Sequence, residues 1–133
     1  MIFKENITSE QARQLNPIVL AFVGDAVYSL FVREKLAKSI DKKSGVLSEM
    51  ASREVNASSQ AKRADELIKI FSEEESAIFH RARNAKKPTH AKHSSVSEYN
   101  RSTGFEAVIG YLYLSGQTER LDSILNYGEN DER

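Results

Sequence analysis

The scarcity of helix-breaking residues constrains the fold of this chain more than any other feature of its sequence. Its 133 residues include only two prolines and six glycines, and the alternating pattern typical of strands is nearly absent. Signals for a helix start recur instead, at Thr8, at Asn16 before Pro17, at Ser72, and at Ser94 or Ser95. The sequence therefore predicts an all-α fold.

The caps and breakers also predict where the helices lie. We expect helices over residues 9–15, 17–37, 45–70, 72–84, 95–114 and 119–127, with a bend at 56–59 in the third. A chain of this length is typical of one domain, which we assign to residues 1–133, with 128–133 as a frayed tail.

The composition excludes several classes of site and location. The chain has no cysteine, which excludes disulfides, zinc–thiolate sites and thiol nucleophiles and is consistent with an intracellular protein. No signal peptide is visible at the N-terminus. The apolar run over 18–32 is shorter than the roughly 20 residues that a bilayer requires, and it contains Asp25. We therefore expect a cytoplasmic protein without a membrane partner.

That apolar run contains one carboxylate. The residues that share a helix face with Asp25 are Ile18, Ala21, Phe22, Tyr28, Ser29 and Val32. Because the opposite face is apolar too, we expect this helix inside the fold or in an interface, with Asp25 buried. A buried carboxylate costs several kcal/mol unless a proton, a cation or a metal neutralises it. No Lys or Arg lies within one helical turn of Asp25.

A later predicted helix repeats this pattern, because Glu106 is the one charged residue among apolar and aromatic neighbours over 104–114. Gly24 and Gly110 would let the two helix backbones approach closely and bring the carboxylates together. With no Cys in the chain and no His in either helix, the ligands are oxygens, which favours Mg²⁺ or Mn²⁺. The alternative is structural: each acid pairs with a distant Arg or caps a buried backbone group.

A basic strip, defined as residues 76–97, contains no acidic residue. The whole chain has 19 basic and 19 acidic residues, and removing the strip leaves 14 basic against 19 acidic. The charged and titratable residues of the strip are His80, Arg81, Arg83, Lys86, Lys87, His90, Lys92 and His93. Such a strip suits contacts to nucleic-acid phosphates. The alternative is a solvated helix end and loop, since Lys and Arg also favour the dipole at a helix C-terminus.

Taken together, these segments resemble a known family. The segment Gly24-Asp25-Ala26-Val27 and, about eighty residues later, Phe105-Glu106-Ala107-Val108-Ile109-Gly110 resemble the two signature helices of the ribonuclease III catalytic domain. The closer resemblance is to the Mini-ribonuclease III branch, which lacks a separate double-stranded RNA-binding domain. It is seen in Asn16-Pro17, in 81–86, and in Tyr99 with 102–106. The resemblance covers nearly the whole chain.

The resemblance implies an all-α homodimer that cleaves double-stranded RNA with Mg²⁺, or with Mn²⁺, and leaves 5′-phosphate and 3′-hydroxyl ends. By motif match, Asp25 and Glu106 are its catalytic, metal-binding carboxylates. The implied substrate is the paired ends of precursor 23S ribosomal RNA, with a ribosomal protein as a further partner. The residues that we expect to bind RNA are Arg81, Arg83, Asn84, Lys86, Lys87, His90, Lys92 and His93.

Two positions depart from the full-length ribonuclease III pattern, in which acids also stand four residues before the Asp and three before the Glu. Here these positions are Ala21 and Thr103, so water, the Thr103 hydroxyl or phosphate would complete the metal shell. The Mini branch shares this difference. Two alternatives to an enzyme stay open: a non-catalytic RNA- or ribosome-binding module of the same fold, and a structural helical dimer whose acids form salt bridges.

Overall fold

The computed structural model describes residues 5–39, 43–87 and 94–128, and within these ranges it is all-helical, as predicted. In chain order the helices are α1 (Ser9–Gln14), α2 (Pro17–Ser39), α3 (Ser44–Val55), α4 (Ala57–Leu67), α5 (Glu73–Asn84), α6 (Val96–Leu114) and α7 (Thr118–Leu125). None of them is long and apolar enough to cross a membrane. Of the predicted tail, only Gly128 lies within the described ranges.

Side chains at the predicted caps start the helices. Thr8, Ser72 and Ser95 each form a capping box, in which the side chain accepts a backbone N–H and a Gln or Glu returns a bond to the cap. The side chain of Asn16 accepts a hydrogen bond from the N–H of Ile18 at 2.8 Å, and α2 begins at Pro17. Local chemistry therefore sets these starts.

The third predicted helix is in fact two helices. Asn56 has an extended backbone that ends α3, and its side chain accepts a hydrogen bond from the N–H of Ser59 to start α4. The same side chain donates to the carbonyls of Ser52 and Arg53. One asparagine thus satisfies polar groups of both helices, and the predicted bend is a complete break.

Helix α6 is the central helix of the fold. It packs against α2, α4 and α5, and it also contacts α1 and α7. Between Ser102 and Leu112 every residue of α6 is buried except Glu106, which is partly buried. Helix α6 therefore forms the centre of the core, and Glu106 is its one incompletely buried residue in this stretch.

Helix α2 buries only one of its faces against this core. Its buried apolar residues are Leu20, Ala21, Tyr28, Val32 and Leu36. Its outer face exposes Val19, Phe22, Ala26 and Leu30, and the Phe22 side chain is 80% exposed. The expectation that an all-apolar helix lies wholly inside the fold was wrong for the single chain; the expectation of an interface stays a prediction.

Candidate active site

Two glycines bring α2 and α6 into backbone contact. A Cβ atom added to Gly24 would lie 1.7 Å from the carbonyl oxygen of Glu106. A Cβ atom added to Gly110 would lie 1.9 Å from the carbonyl oxygen of Leu20. Because no side chain fits at either position, only glycines permit this crossing. The prediction that Gly24 and Gly110 allow a close approach is confirmed.

Asp25 and Glu106 meet at this crossing, where their side chains form a hydrogen bond. Within the described residues neither acid takes part in an ion pair. Burial, the charge of Asp25 and the hydrogen bond to Asp25 raise the pKa of Glu106 from 4.5 to about 9. At neutral pH the Glu106 carboxyl therefore keeps its proton unless a cation displaces it.

The two acids differ in their exposure. Glu106 is partly buried, whereas Asp25 is exposed, so the prediction that Asp25 is buried was wrong. The reason is that Asp25 lies at the edge of the α2 face that no other described helix covers. The site consequently has a protein side, formed by Glu106, and an open side, formed by Asp25, through which a ligand can enter.

Helix α4 supplies a third polar group, which sequence reasoning missed. Gln60 is 2% exposed, and its Nε2 atom donates to Oε2 of Glu106 at 3.5 Å. A signal for it does exist in the sequence, because Gln60 has helical spacing with Ala64 and Leu67, both of which are buried. That spacing places a polar side chain on the buried face of α4.

The donor set at this crossing fits a hard divalent cation. Two carboxylates touch without a cationic partner, and oxygen ligands are those that Mg²⁺ and Mn²⁺ prefer. Within the described ranges no three His, Cys, Asp or Glu side chains form a cluster, so two carboxylates are what this part of the chain offers. The two positions at which the sequence lacks a further acid, Ala21 and Thr103, are both buried. The Thr103 hydroxyl donates to the Tyr99 carbonyl at 3.0 Å.

Part of the basic strip has structural roles. The Lys87 ammonium donates to the carbonyls of Ala82, Arg83 and Ala85, each at 2.7 Å, at the end of α5. Arg81 donates to the Arg13 carbonyl at 2.8 Å. A Lys with three internal acceptors stabilises the helix end. RNA binding by Lys87 stays a prediction that these contacts do not favour.

Other described residues of the strip line a groove between the end of α5 and the start of α6. Arg83 and Asn84 line this groove, whose volume is about 430 Å³, together with Asn100 and Arg101. Lys86, two residues after Asn84 in the chain, is exposed. The remaining predicted RNA contacts, His90, Lys92 and His93, lie outside the described residues. The groove therefore brings together two of the predicted RNA-binding residues, Arg83 and Asn84.

Comparison with known proteins agrees with this arrangement. Residues 18–117 match the Ribonuclease III domain. A Mini-ribonuclease 3 from Thermoanaerobacter sp. is 43% identical over 128 residues, which is 94% of this chain and 90% of that protein. A Mini-ribonuclease 3 from Clostridium tetani is 42% identical over 122 residues, or 91% of this chain and 81% of that protein.

A solved structure is also similar. The X-ray crystal structure of a protein from Fusobacterium nucleatum superimposes with a TM-score of 0.81 and 30% identity, and the match covers 91% of this chain and 97% of that one. The matched domain spans the crossing of α2 and α6 and includes both carboxylates. The chain therefore belongs to the ribonuclease III family, in its Mini-ribonuclease 3 branch.

Proposed function

We propose that this chain is an RNA endonuclease that cuts double-stranded RNA by metal-dependent hydrolysis, with Asp25 and Glu106 as its catalytic carboxylates. The observation that carries the proposal is the direct contact of these two acids without a cationic partner among the described residues. Membership of the ribonuclease III family supports the class of reaction.

Both carboxylates would bind the metal, each from a different side of the site. A Mg²⁺ or Mn²⁺ ion bound to them would lower the pKa of a water molecule and stabilise the charge of the departing 3′ oxygen, which leaves 5′-phosphate and 3′-hydroxyl ends. Glu106 would bind such an ion from the protein side, on the central helix, and Asp25 would bind it from the side that is open to RNA. To do so, Glu106 must give up its proton.

Duplex RNA would lie against the basic strip. Lys86 and the groove residues Arg83 and Asn84 offer donors to phosphate oxygens, and the proposal extends to Arg81, Lys87, His90, Lys92 and His93. Because A-form RNA hides its base edges in a deep groove, recognition would depend on shape, phosphates and 2′-hydroxyls. The substrate that we propose is the paired ends of precursor 23S ribosomal RNA, in the cytoplasm, with a ribosomal protein as a further partner.

A cleavage assay tests this function. The full chain is incubated with a paired precursor of 23S ribosomal RNA in Mg²⁺, and the ends of the products are mapped. We expect cuts in both strands that leave 5′-phosphates, no cuts after addition of a chelator, and no cuts in a single strand of the same sequence. Binding without cleavage in Mg²⁺ and Mn²⁺ would instead support the non-catalytic module, which Ala21 and Thr103 motivate.

We also propose that a second copy of the chain covers the outer face of α2. Val19, Phe22, Ala26 and Leu30 recur at helical spacing there and are exposed. Leu30 also lines an apolar groove of about 300 Å³ between α2, α6 and α7, which extends this surface. Phe22 is one helical turn from Asp25, so a partner seated on this face would border the site of cleavage.

The dimer can be tested with two matched variants. Phe22→Gln removes the most exposed aromatic side chain of this face, whereas Val46→Gln changes a side chain on α3 that is 44% exposed. We expect a dimer for the unchanged chain and for Val46→Gln in sedimentation equilibrium, and a monomer with reduced cleavage for Phe22→Gln. A monomeric unchanged chain that still cleaves both strands would contradict the dimer.

A further inference from the structure

A buried amide lies beside the carboxylate pair, and packing alone does not explain it. Gln60 is 2% exposed on the face of α4 that also carries Ala64 and Leu67. A buried carboxamide costs free energy unless its polar atoms are hydrogen-bonded. An apolar side chain of similar volume would fill the contact between α4 and α6 without that cost. The amide group itself therefore requires a role.

The position of Gln60 relative to α6 is held at several points. Its backbone N–H donates to the Asn56 carbonyl at 3.0 Å in the first turn of α4. Further along α4, Asp65 forms an ion pair with Arg101 of α6. With the helix held in this way, the Gln60 amide is directed at Oε2 of Glu106, on the side of that carboxylate contacted by α4.

We propose that Gln60 is a positioning residue, whose amide N–H holds the Glu106 carboxylate opposite Asp25 and whose neutrality keeps the number of carboxylates at the site to two. An amide N–H can donate to an ionised carboxylate without adding a charge of its own. This inference rests on the proposed function, because Glu106 needs a fixed orientation only if it binds an ion. Gln60 itself binds neither ion nor RNA.

Two substitutions separate the donor from the neutrality of the amide. Gln60→Met keeps a long side chain but removes the donor, and Gln60→Glu keeps the shape but adds a third carboxylate. The measurements are the Kd of the full chain for Mn²⁺, from titration calorimetry without RNA, and the rise in Tm that Mn²⁺ causes. We expect a Kd about 10-fold larger for Gln60→Met, and a larger Mn²⁺-induced rise in Tm for Gln60→Glu than for the unchanged chain.

Glu66→Gln is the matched control on α4, because Glu66 is exposed and its ion pair is with Arg63 of the same helix. Its Mn²⁺ Kd should equal that of the unchanged chain. An unchanged Kd in Gln60→Met would overturn the positioning role. If Gln60→Met does not fold, Gln60→Glu decides, since a Mn²⁺-induced rise in Tm no larger than that of the unchanged chain also overturns it.

The proposed function can fail separately from this inference. If Glu106→Gln and the unchanged chain bind Mn²⁺ with the same Kd, Glu106 is not a metal ligand and the proposed function is wrong. If that comparison shows a loss of binding while Gln60→Met binds normally, only the role of Gln60 is wrong.

Discussion

Glu75 and Glu106 are both glutamates on core helices, but the fold treats their charges in opposite ways. Glu75 is 3% exposed, and its two oxygens accept hydrogen bonds from Nε and Nη2 of Arg120 at 2.9 and 2.7 Å. Burial alone would raise the pKa of Glu75, but hydrogen bonds from Arg120 and Ser72 lower it below its usual value. Glu106 contacts Asp25 instead of a cation, and burial and that second acid raise its pKa to about 9.

This contrast distinguishes a structural carboxylate from one that is available to a ligand. The Glu75 carboxylate is fully engaged, because Arg120 and the Ser72 N–H fix it between α5 and α7. The Asp25–Glu106 pair has no cationic side chain against it among the described residues, so its oxygens are available to a divalent cation that displaces the Glu106 proton. The salt-bridge alternative raised for Asp25 and Glu106 describes Glu75 instead.

Substitutions in the Asp25–Glu106 pair should have the greatest effect. Asp25→Asn or Glu106→Gln should slow cleavage of duplex RNA by about 10³-fold or more, because a bound metal contributes several kcal/mol of transition-state stabilisation. Single-turnover cleavage in Mg²⁺ measures this loss. Duplex affinity, measured by gel shift, should change little because the basic strip is intact. A variant that loses its helical circular dichroism would instead show that the acid is structural.

The next effect concerns how the two helices meet. Gly24→Ala should lower the free energy of unfolding by about 3 kcal/mol or more, because the new methyl group would overlap the Glu106 carbonyl. Urea denaturation measures this change. Gly45→Ala is the control, since nothing lies within 4 Å of a Cβ at that helical position. Its effect should be within about 1 kcal/mol and stabilising, and equal effects of the two substitutions would contradict the crossing.

The third prediction concerns the structural carboxylate, Glu75. Glu75→Gln should cost about 2 to 3 kcal/mol of unfolding free energy, since it leaves the Arg120 charge without its partner. This figure is at the low end because the Arg120 side chain is 34% exposed and water still solvates it. Urea denaturation measures the cost, and cleavage by the folded variant should be unchanged. A loss of cleavage without a loss of stability would reverse the roles assigned to the two glutamates.

The smallest effect is the pH dependence of stability without metal. Below pH 4.5, Glu106 is protonated in both the folded and the unfolded chain, and between 4.5 and about 9 only the folded chain retains the proton. Its contribution to stability is therefore lost as the pH rises through this window. Relative to the unchanged chain, Glu106→Gln should gain about 1 to 2 kcal/mol at pH 7 in a chelator, less than the full pKa shift allows because water reaches the partly buried carboxyl, and nothing at pH 4.

Urea denaturation of both proteins at several pH values gives this difference, in which the other titrating groups cancel. A difference that does not vary with pH would mean that the Glu106 carboxyl ionises normally. The comparison with Glu75 would then lose its physical basis.

Much of the helical layout could be predicted because it depends on neighbours within one turn. Thr8, Ser72 and Ser95 start helices through bonds to residues three positions later. The break at Asn56 could not be distinguished from a bend, because both have the same polar residues and differ only in whether one side chain satisfies two helix ends.

The candidate site was predictable in part. Asp25 and Glu106 stood out because each interrupts an apolar helical run, and Gly24 and Gly110 indicated how the runs could touch. The exposure of Asp25 was not predictable, because it depends on which face of α2 its neighbours cover. The role of Gln60 was not predictable either, because its hydrogen-bond partner, Glu106, lies on another helix.

Local residue patterns were enough to predict the all-helical class, most of the helix starts, and the two helices that carry acids in apolar surroundings. Caps, breakers and periodicity act over a few residues, so these features are local. The pairing of Glu75 with Arg120 and of Glu106 with Asp25 depends on how the helices pack, and no local pattern predicts it. The charge state of a carboxylate depends on the groups within a few ångströms of it, and packing brings those groups from distant parts of the chain.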